Sequence, residues 1–157
     1  MIILDLDNCI ADDAWRIPRI NWQKTGDARY HDYHMLCAFD AVGNKRLFAH
    51  ENHVLILTGR PVMVRATTAE WLRRVGVNYL HLVMRNDGDQ SPSAALKRKQ
   101  VLWLRDFYGV ELSDVRIAYD DREDICAMYR DLGLRAQCVS IHSVCAYTNP
   151  LTAERVP

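Results

Sequence analysis

Two aspartates at alternate positions directly follow the first apolar run of the chain, Met1–Leu4. Side chains two residues apart on an extended strand point to the same side, so Asp5 and Asp7 are expected to share a divalent cation. Burying unpaired carboxylates is unfavourable by several kcal/mol each, and a cation offsets much of that penalty. The pair therefore predicts a metal site at the end of a buried strand, with two solvated acids as the alternative.

A hydroxyl, a glycine and an arginine follow the second apolar run, at Thr58-Gly59-Arg60. Because a helix is predicted to begin just after them, its free N–H groups and the threonine hydroxyl would form a cradle for an anion. The structural alternative is that Thr58 only caps the helix and Gly59 only makes the turn. The motif alone does not decide between these interpretations.

Two lysines near the start of another predicted helix are candidates for an ammonium in the site. Lys97 and Lys99 are two positions apart, which separates them by about 200° around a helix, so only one of them faces inward. Lys97 is favoured because Val101 and Leu104, four and seven residues further on, continue its face. Lys99 is expected on a solvated face.

A second acidic pair, Asp120-Asp121, ends the apolar run 115–119. Asp120 is expected to converge with Asp5 and Asp7 as the third carboxylate of one site. Oxygen ligands without a histidine or cysteine partner favour Mg²⁺ over zinc. Asp121 has a helix cap as its structural alternative, and Asp124 a favourable interaction with the helix dipole.

Alternating strands and helices must position these residues, and they predict an α/β fold. The pattern is typical of a Rossmann-like three-layer sandwich around a parallel sheet of about five strands. The predicted strands are 1–7, 53–57, 77–84, 115–119 and 136–141, and the predicted helices are 62–75, 93–108 and 122–132. Residues 11–50 fit this alternation poorly and are predicted to be a small cap or insertion. A length of 157 residues favours one domain, 1–157.

Composition excludes several classes of protein. Lys and Arg total 20, equal to Asp and Glu, so no overall field attracts nucleic acid or anionic lipid. No apolar run approaches the length of a membrane span. Five scattered cysteines without a CxxC pair predict neither a disulfide framework nor a structural zinc site, and they favour a cytoplasmic protein with reduced thiols. The cysteines are Cys9, Cys37, Cys126, Cys138 and Cys145.

The order of these motifs resembles that of the haloacid dehalogenase (HAD) superfamily of phosphatases. The motifs that carry the resemblance are Asp5-Leu-Asp7, Thr58-Gly-Arg60, Lys97 and Asp120-Asp121. Within that superfamily, residues 82–89 and 118–125 are similar to the 3′-phosphatase domain of phage-type polynucleotide kinase/phosphatases. The chain lacks the P-loop motif of the accompanying kinase.

The resemblance implies a reaction through an aspartyl-phosphate. Asp5 is expected to be the nucleophile and Asp7 the general acid and base. Mg²⁺ is expected to be bound by Asp5 and Asp120 together with Asp7, through its backbone carbonyl. One departure from the family pattern is Asn8-Cys9 in place of Gly-Thr; asparagine tolerates the left-handed backbone that glycine would supply, whereas Cys9 removes a hydroxyl near the general acid.

The resemblance also implies where the substrate lies. Thr58, Gly59 and Lys97 are expected to bind the phosphoryl oxygens. The resemblance assigns supporting or substrate-binding roles to Arg60 and Asp121, whereas Arg85, which follows the third predicted strand, and Asp124 are candidates for such roles from their places in the sequence. Residues 60–99 hold eight Lys and Arg against three acids, and the aromatic side chains of the insertion are candidates for stacking on a base. These are Trp15, Trp22, Tyr30 and Tyr33.

The function expected from the sequence is a Mg²⁺-dependent phosphomonoesterase acting on nucleotides or on nucleic-acid 3′ ends. A small-metabolite phosphatase acting on sugar phosphates is the alternative within the class. Two other classes stay open: a receiver-type phosphoacceptor domain, which also groups acids, Thr and Lys around Mg²⁺, and a binding module without activity. In receiver domains the phosphorylated Asp ends the third strand, whereas here the predicted third strand leads into Arg85.

Overall fold

A parallel sheet of five strands forms the centre of the computed structural model, which describes residues 1–142. Two further short strands pair antiparallel outside that sheet. The strands of the described part are β1 (Ile2–Leu4), β2 (Ala11–Asp12), β3 (Ala41–Val42), β4 (Val54–Pro61), β5 (Tyr79–Arg85), β6 (Ile117–Asp120) and β7 (Ala136–Cys138). The predicted α/β class is therefore confirmed.

Helices cover both faces of the sheet, as the lack of polar alternation in its strands predicts. They are α1 (Asp27–Met35), α2 (Arg65–Val75), α3 (Ser93–Tyr108) and α4 (Glu123–Asp131). Short 3-10 helices span Ala14–Arg19, Cys37–Phe39, Lys45–Leu47, Val62–Val64 and Leu112–Asp114.

Alternate residues of the strands supply two separate cores, one on each face. On the first face, Ile2 and Leu4 of β1 pack in a cluster with Trp71 and Leu72 of α2. On the second face, Ile3 belongs to a cluster that holds Val101 and Leu104 of α3, and Ile125, Met128 and Tyr129 of α4. The two clusters and the sheet between them make the three predicted layers.

The sheet order is β5-β4-β1-β6-β7, with every neighbouring pair parallel. If β2 and β3 are left out of the count, the order along the sheet is third, second, first, fourth, fifth. This is the order of Rossmann-type sheets, whereas receiver domains have the order second, first, third, fourth, fifth. The connections diverge between β1 and β6, which is where ligands bind in such sheets.

The predicted insertion, 11–50, contains β2, β3, α1 and three of the 3-10 helices. Some of its buried side chains, Cys37 and Phe48 among them, join the core on the α2 face. The indole N–H of Trp71 on α2 donates to the backbone carbonyl of Asp40 at 2.8 Å, which ties the segment to the body of the fold. None of the helices within residues 1–142 has the length and the apolar character needed to cross a membrane.

Candidate active site

The carboxyl ends of the adjacent strands β1 and β6 bring the two acidic motifs together. Strand β1 ends at Leu4, and the amide of Asp5 donates to the carbonyl of Tyr119 at 3.0 Å, which fixes Asp5 against β6. Asp120 is the last residue of β6 and is fully buried. Parallel strands present these ends at one edge, so residues more than 110 positions apart become neighbours.

Three carboxylates meet at this edge: those of Asp5, Asp120 and Asp121. One oxygen of each lies within 4.8 Å of the others, and all three residues are buried. Burial and the neighbouring carboxylates raise the pKa of Asp5 above its ordinary value even though Lys97 opposes them. Burial, Asp5 and Asp120 also raise the pKa of Asp121, to about 8. The three carboxylates repel one another when they are ionised, so the group favours a bound cation.

Lys97 is the cation that the structure itself places against this group. Its Nζ lies 2.5 Å from Asp5 Oδ1 and 3.2 Å from Asp120 Oδ2, and it also donates to the carbonyl of Leu57. The side chain is almost completely buried, and the two carboxylates raise its pKa against the effect of burial. Lys99, by contrast, is exposed and contacts the hydroxyl of Ser91. The structure thus brings Lys97, and not Lys99, to the acidic residues.

Thr58 and Gly59 lie within β4, which continues to Pro61, beyond the predicted end of the strand at residue 57. The Thr58 hydroxyl oxygen accepts the amide N–H of Arg60 at 3.2 Å. Gln100 of α3 donates to the Thr58 carbonyl at 3.0 Å. The predicted anion cradle at a helix N-terminus is therefore not present in that form, because extended strand and a 3-10 turn separate Thr58 from α2.

The carboxylate of Asp7 lies outside the group of three. Arg16 and Arg60 each place a guanidinium nitrogen 2.5 Å from Asp7 Oδ1. Although burial acts in the opposite direction, these two charges hold the pKa of Asp7 below its ordinary value. The side chains of Asp5 and Asp7 therefore do not form one cation-binding group, contrary to the prediction from strand spacing. Strand β1 has already ended at Leu4 and the chain turns at once, so the rule that alternate strand side chains point the same way does not apply to this pair.

A buried network behind Asp7 orders both arginines, and its central residue was not predicted from the sequence. Asp40, in the insertion, accepts from Arg16 Nε and Nη2 and from Arg60 Nη2, each at 2.8 Å. Both arginines are fully buried. Neither Arg16 nor Asp40 belongs to a recognisable spacing pattern. The sequence gives no signal for either residue, because the rule that buried charges require partners applies only once their burial is known.

The turn after Asp7 depends on Asn8, which has a φ of 57° in the left-handed region, as expected for the residue in place of glycine. Its side-chain amide donates to Asp121 Oδ2 at 3.0 Å, and its side-chain oxygen accepts from the amide of His142. Asn8 therefore orients Asp121, which glycine would not do. Cys9 is buried beside it, and burial raises the pKa of its thiol.

A cleft of about 650 Å³ opens over these residues. Its floor includes Asp5, Asp7 and Lys97, and its walls come from the insertion on one side and from the 85–93 loop and the start of α4 on the other. Tyr30 and Tyr33 of α1 both line the cleft; Tyr33 is almost completely buried and donates to Asp13. An elongated or planar group has room to enter here.

The remaining predicted residues lie at the edge of the cleft or behind it. Arg85 lines the cleft, but its guanidinium donates to the carbonyls of Gly59, Asp89 and Ser91, so it also holds the loop. Asp124 lines the rim and pairs with Arg122 at 2.8 Å. Arg60 lies behind Asp7 in the buried network.

A protein family model matches the whole of the described chain. The family model described as "Polynucleotide kinase PNKP phosphatase domain" matches residues 1–143. No curated protein matches the chain.

Solved structures of low sequence identity share the fold. "Structure of the Pnkp1/Rnl/Hen1 RNA repair complex" has a TM-score of 0.64 at 21% identity and covers 88% of this chain and 41% of that one. "Structure of Pnkp1/Rnl/Hen1 complex" has a TM-score of 0.63 at 22% identity, with 88% and 44% covered. A haloacid dehalogenase-like hydrolase family protein from Streptococcus pneumoniae has a TM-score of 0.56 at 11% identity, with 87% and 82% covered. The chain thus spans less than half the length of the first two.

Proposed function

Because this chain belongs to the family of polynucleotide kinase PNKP phosphatase domains, we propose that it is a Mg²⁺-dependent phosphomonoester hydrolase. In this proposal it removes phosphate from nucleotides or from nucleic-acid 3′ ends through an aspartyl-phosphate on Asp5. The observation that carries the proposal is the position of Asp5 in the floor of an open cleft, in contact with Lys97 and grouped with Asp120 and Asp121.

The residues present fit a hard divalent cation. The donors of the group are carboxylate oxygens, which Mg²⁺ prefers. Asp120 Oδ2 is buried and accepts no hydrogen bond, although Lys97 Nζ lies 3.2 Å away. Asp5, Asp120 and Asp121 would hold the ion, with the carbonyl of Asp7 as a further ligand. When bound, Mg²⁺ supplies positive charge that lets an anionic nucleophile approach an anionic phosphate.

The first step in this proposal is attack by a carboxylate oxygen of Asp5 on phosphorus. A phosphorus–oxygen bond to Asp5 forms while the ester bond breaks, and the electron pair leaves with the alcohol oxygen. Lys97 neutralises charge near the phosphoryl oxygens, and Thr58 contributes a hydroxyl beside them. Phosphoryl transfer is accelerated largely by such positioning and neutralisation. Dividing the displacement into two steps is the contribution of an aspartyl nucleophile.

Asp7 handles the proton in both steps. Arg16 and Arg60 keep its carboxylate ionised and hold it in place, so it enters the second step without a proton and accepts one from the water that attacks the aspartyl-phosphate. The leaving alkoxide needs a proton in the first step. A phosphomonoester has a second pKa of about 6, so the monoanionic form of the substrate brings a proton into the site, and Asp7 relays it to the alkoxide.

The proposed nucleic-acid substrate rests on the family and on the shape of the cleft. The walls bear Tyr30 as a stacking surface and Arg85 as a positive charge. The sheet order argues against the receiver-type alternative. A reducing cytoplasmic location is part of the proposal and agrees with the four described cysteines, all of which are free thiols.

A phosphate-release assay tests the proposal. The panel contains one oligonucleotide carrying either a 3′- or a 5′-phosphate, the corresponding 3′-mononucleotide, and a set of sugar phosphates, each with Mg²⁺ and with chelator. We expect release to be fastest from the 3′-phosphorylated oligonucleotide and to be lost with chelator. Release confined to sugar phosphates would reject the nucleic-acid substrate, and inertness on every substrate would favour the binding-module alternative.

A further inference from the structure

A second group of metal-binding side chains lies beside the cleft and takes no part in the proposed hydrolysis. Glu123 and Cys126 on α4 and Cys138 at the end of β7 place a carboxylate oxygen and two sulfur atoms within 4.8 Å of one another. Within residues 1–142 only this group and the Asp5–Asp120–Asp121 group combine three such ligands so closely. The two groups differ in chemistry, because only this one contains sulfur.

The fold brings these three residues together from separate elements. Glu123 and Cys126 are three positions apart, which places both on one face of α4. Cys138 is the last residue of β7 and pairs in register with Asp120 of β6. The scattered cysteine spacing in the sequence hides this arrangement, because it depends on how α4 packs against β7.

We propose that Glu123, Cys126 and Cys138 form a binding site for one Zn²⁺ ion, separate from the carboxylate site. Thiolate sulfur selects zinc over magnesium, which prefers oxygen ligands throughout. Three protein ligands leave a fourth tetrahedral position for water. The inference does not depend on the proposed phosphatase activity, since it rests on the ligand group alone.

Access to the site is from the cleft. Glu123 and Cys138 are exposed and line the cleft wall, while Cys126 lies buried behind them. An ion therefore meets the first two ligands at the surface and reaches the third by a short inward step. The acids of the floor, Asp120 and Asp121, add a negative field that favours the approach of any divalent cation.

Ion binding replaces two weak hydrogen bonds. In the described structure the Cys126 thiol lies 3.8 Å from the carbonyl of Asp120, and the Cys138 thiol lies 3.3 Å from that of Asp121. Binding breaks two S–H bonds, forms two zinc–sulfur bonds and releases two protons to the solvent. The two thiolates and the carboxylate together carry three negative charges against the two positive charges of the ion. Arg130, 2.5 Å from Glu123, offsets the remaining negative charge.

A disulfide between the same two cysteines is the competing outcome. It would not involve Glu123, and it requires a thiolate as nucleophile. An oxygen of Glu123 lies within 4.8 Å of both sulfur atoms, where it can serve as a metal ligand but has no part in a disulfide. The position of the carboxylate therefore favours an ion over a bond.

Co²⁺ provides a spectroscopic probe, because thiolate ligands give cobalt an intense charge-transfer absorption that carboxylates do not. The reduced, metal-free full chain is titrated with Co²⁺ in excess Mg²⁺, which occupies the carboxylate site. We expect the absorption to saturate at one ion per chain and to disappear when Zn²⁺ is added. Absence of the absorption from wild type, with all thiols reduced, would overturn the proposal.

Variants separate the proposed ligands from the other thiols. Cys138→Ser, at an exposed position, is expected to lose the absorption and the rise in melting temperature that Zn²⁺ gives wild type. Glu123→Gln is expected to keep the absorption but to bind Co²⁺ about tenfold more weakly. The matched control is Cys37→Ser, which should give the same cobalt absorption as wild type. The new serine hydroxyl keeps the Thr68 hydroxyl as a partner. Equal absorption in Cys138→Ser and wild type would contradict the assignment.

Discussion

At the level of single side chains, the two aspartates of the first motif have opposite surroundings. Asp5 is buried among Asp120, Asp121 and Lys97, and burial raises its pKa. Asp7 is held by two arginines, and its pKa is lowered in spite of burial. Carboxylates whose surroundings push their pKa values apart are typical of sites that divide nucleophilic and acid–base work.

Replacing Asp5 with asparagine tests the nucleophile directly. We expect Asp5→Asn to lower phosphate release by at least about a thousandfold, because the amide does not form the covalent intermediate. The melting temperature should stay close to that of wild type or rise, since one of three mutually repelling buried carboxylates is lost. Asp131→Asn, an exposed change on α4, is the control and should retain full activity. Turnover at the wild-type rate in Asp5→Asn would contradict the assignment.

The lowered pKa of Asp7 has a consequence for pH dependence. Because Asp7 is already ionised, its own titration supplies no proton near neutral pH, and the proton must enter with the monoanionic substrate. For an alkyl phosphate at saturating Mg²⁺, kcat/KM should therefore fall about tenfold per pH unit above about pH 6. A nitrophenyl phosphate, whose leaving group needs no proton, should have a kcat that stays level over that range. Alkyl phosphate hydrolysis that rises through pH 8 would refute this proton route.

The positions of those candidate residues that lie at regular places in the fold could be predicted from the sequence. Lys97 was distinguishable from Lys99 because helical spacing links it to Val101 and Leu104, and the structure brings it to Asp5. Asp121 was expected only as a cap or supporting residue, yet its carboxylate lies with Asp5 and Asp120. Side-chain direction after a strand has ended depends on the turn that follows, which a spacing rule does not contain.

At the level of elements, the insertion is fastened to the site by buried charge. Arg16 contacts Asp7 and Asp40, and Arg60 of β4 contacts the same two acids. The 3-10 helix Ala14–Arg19 and strand β4 are thus connected through two aspartates. The insertion is part of the site's framework as well as a wall of the cleft.

Breaking this network should affect both stability and activity. Arg16→Gln removes one of two cations from buried acids, so we expect a loss of about 3–5 kcal/mol in unfolding free energy. Turnover should fall as well, because Asp7 loses one of the groups that orient it. The exposed variant Arg73→Gln, which breaks only a surface pair with Glu70, should leave the unfolding free energy nearly unchanged, because solvent screens such a pair. Denaturant unfolding of both variants makes the comparison, and equal losses would contradict the network's role.

A second connection joins the insertion to the opposite wall of the cleft. Asp27, at the start of α1, accepts from the amide of Gly88 at 2.6 Å and from Gln90 Nε2 at 2.8 Å. These contacts bridge the mouth of the cleft and are exposed to solvent, so they are easily opened.

Removing this bridge should loosen the 86–91 loop without unfolding the protein. We expect Asp27→Ala to increase hydrogen exchange at Gly88 and to raise KM for an oligonucleotide a few-fold, with kcat little changed. Asp32→Ala, on the same helix but without contact to the loop, is the matched control. Unchanged exchange at Gly88 in Asp27→Ala would exclude a role for the bridge.

The predictability of the elements depends on how regular they are. Helix α3 has the predicted bounds and α2 ends where predicted, because Gly109 and Gly76 take up the left-handed backbone that ends each helix. Strand β4 extends past its apolar run, because its polar residues Thr58 and Arg60 are buried as well. The insertion combines three short 3-10 helices with one nine-residue α-helix, and 3-10 segments this short leave no periodicity to detect.

At the level of the whole molecule, the sheet order creates the site. Alternation of strands and helices predicted a parallel sheet, and it did not give the order of the strands. With β1 at the centre and β6 beside it, Asp5 and Asp120 become neighbours at the point where the connections diverge. The order of the strands depends on tertiary packing, which local residue patterns do not encode. The convergence of these two aspartates was therefore expected from the family resemblance rather than from the pattern of strands and helices.

The most direct test of the central claim is to capture the covalent intermediate. In Asp7→Asn, nitrophenyl phosphate still donates its phosphoryl group, because its leaving group needs no proton, while the base for the second step is missing. We predict a burst of nitrophenolate stoichiometric with the enzyme, slow turnover afterwards, and one phosphoryl group located on Asp5 by mass spectrometry after acid quench. No burst and no added phosphoryl group, or a phosphoryl group on another residue, would contradict the account.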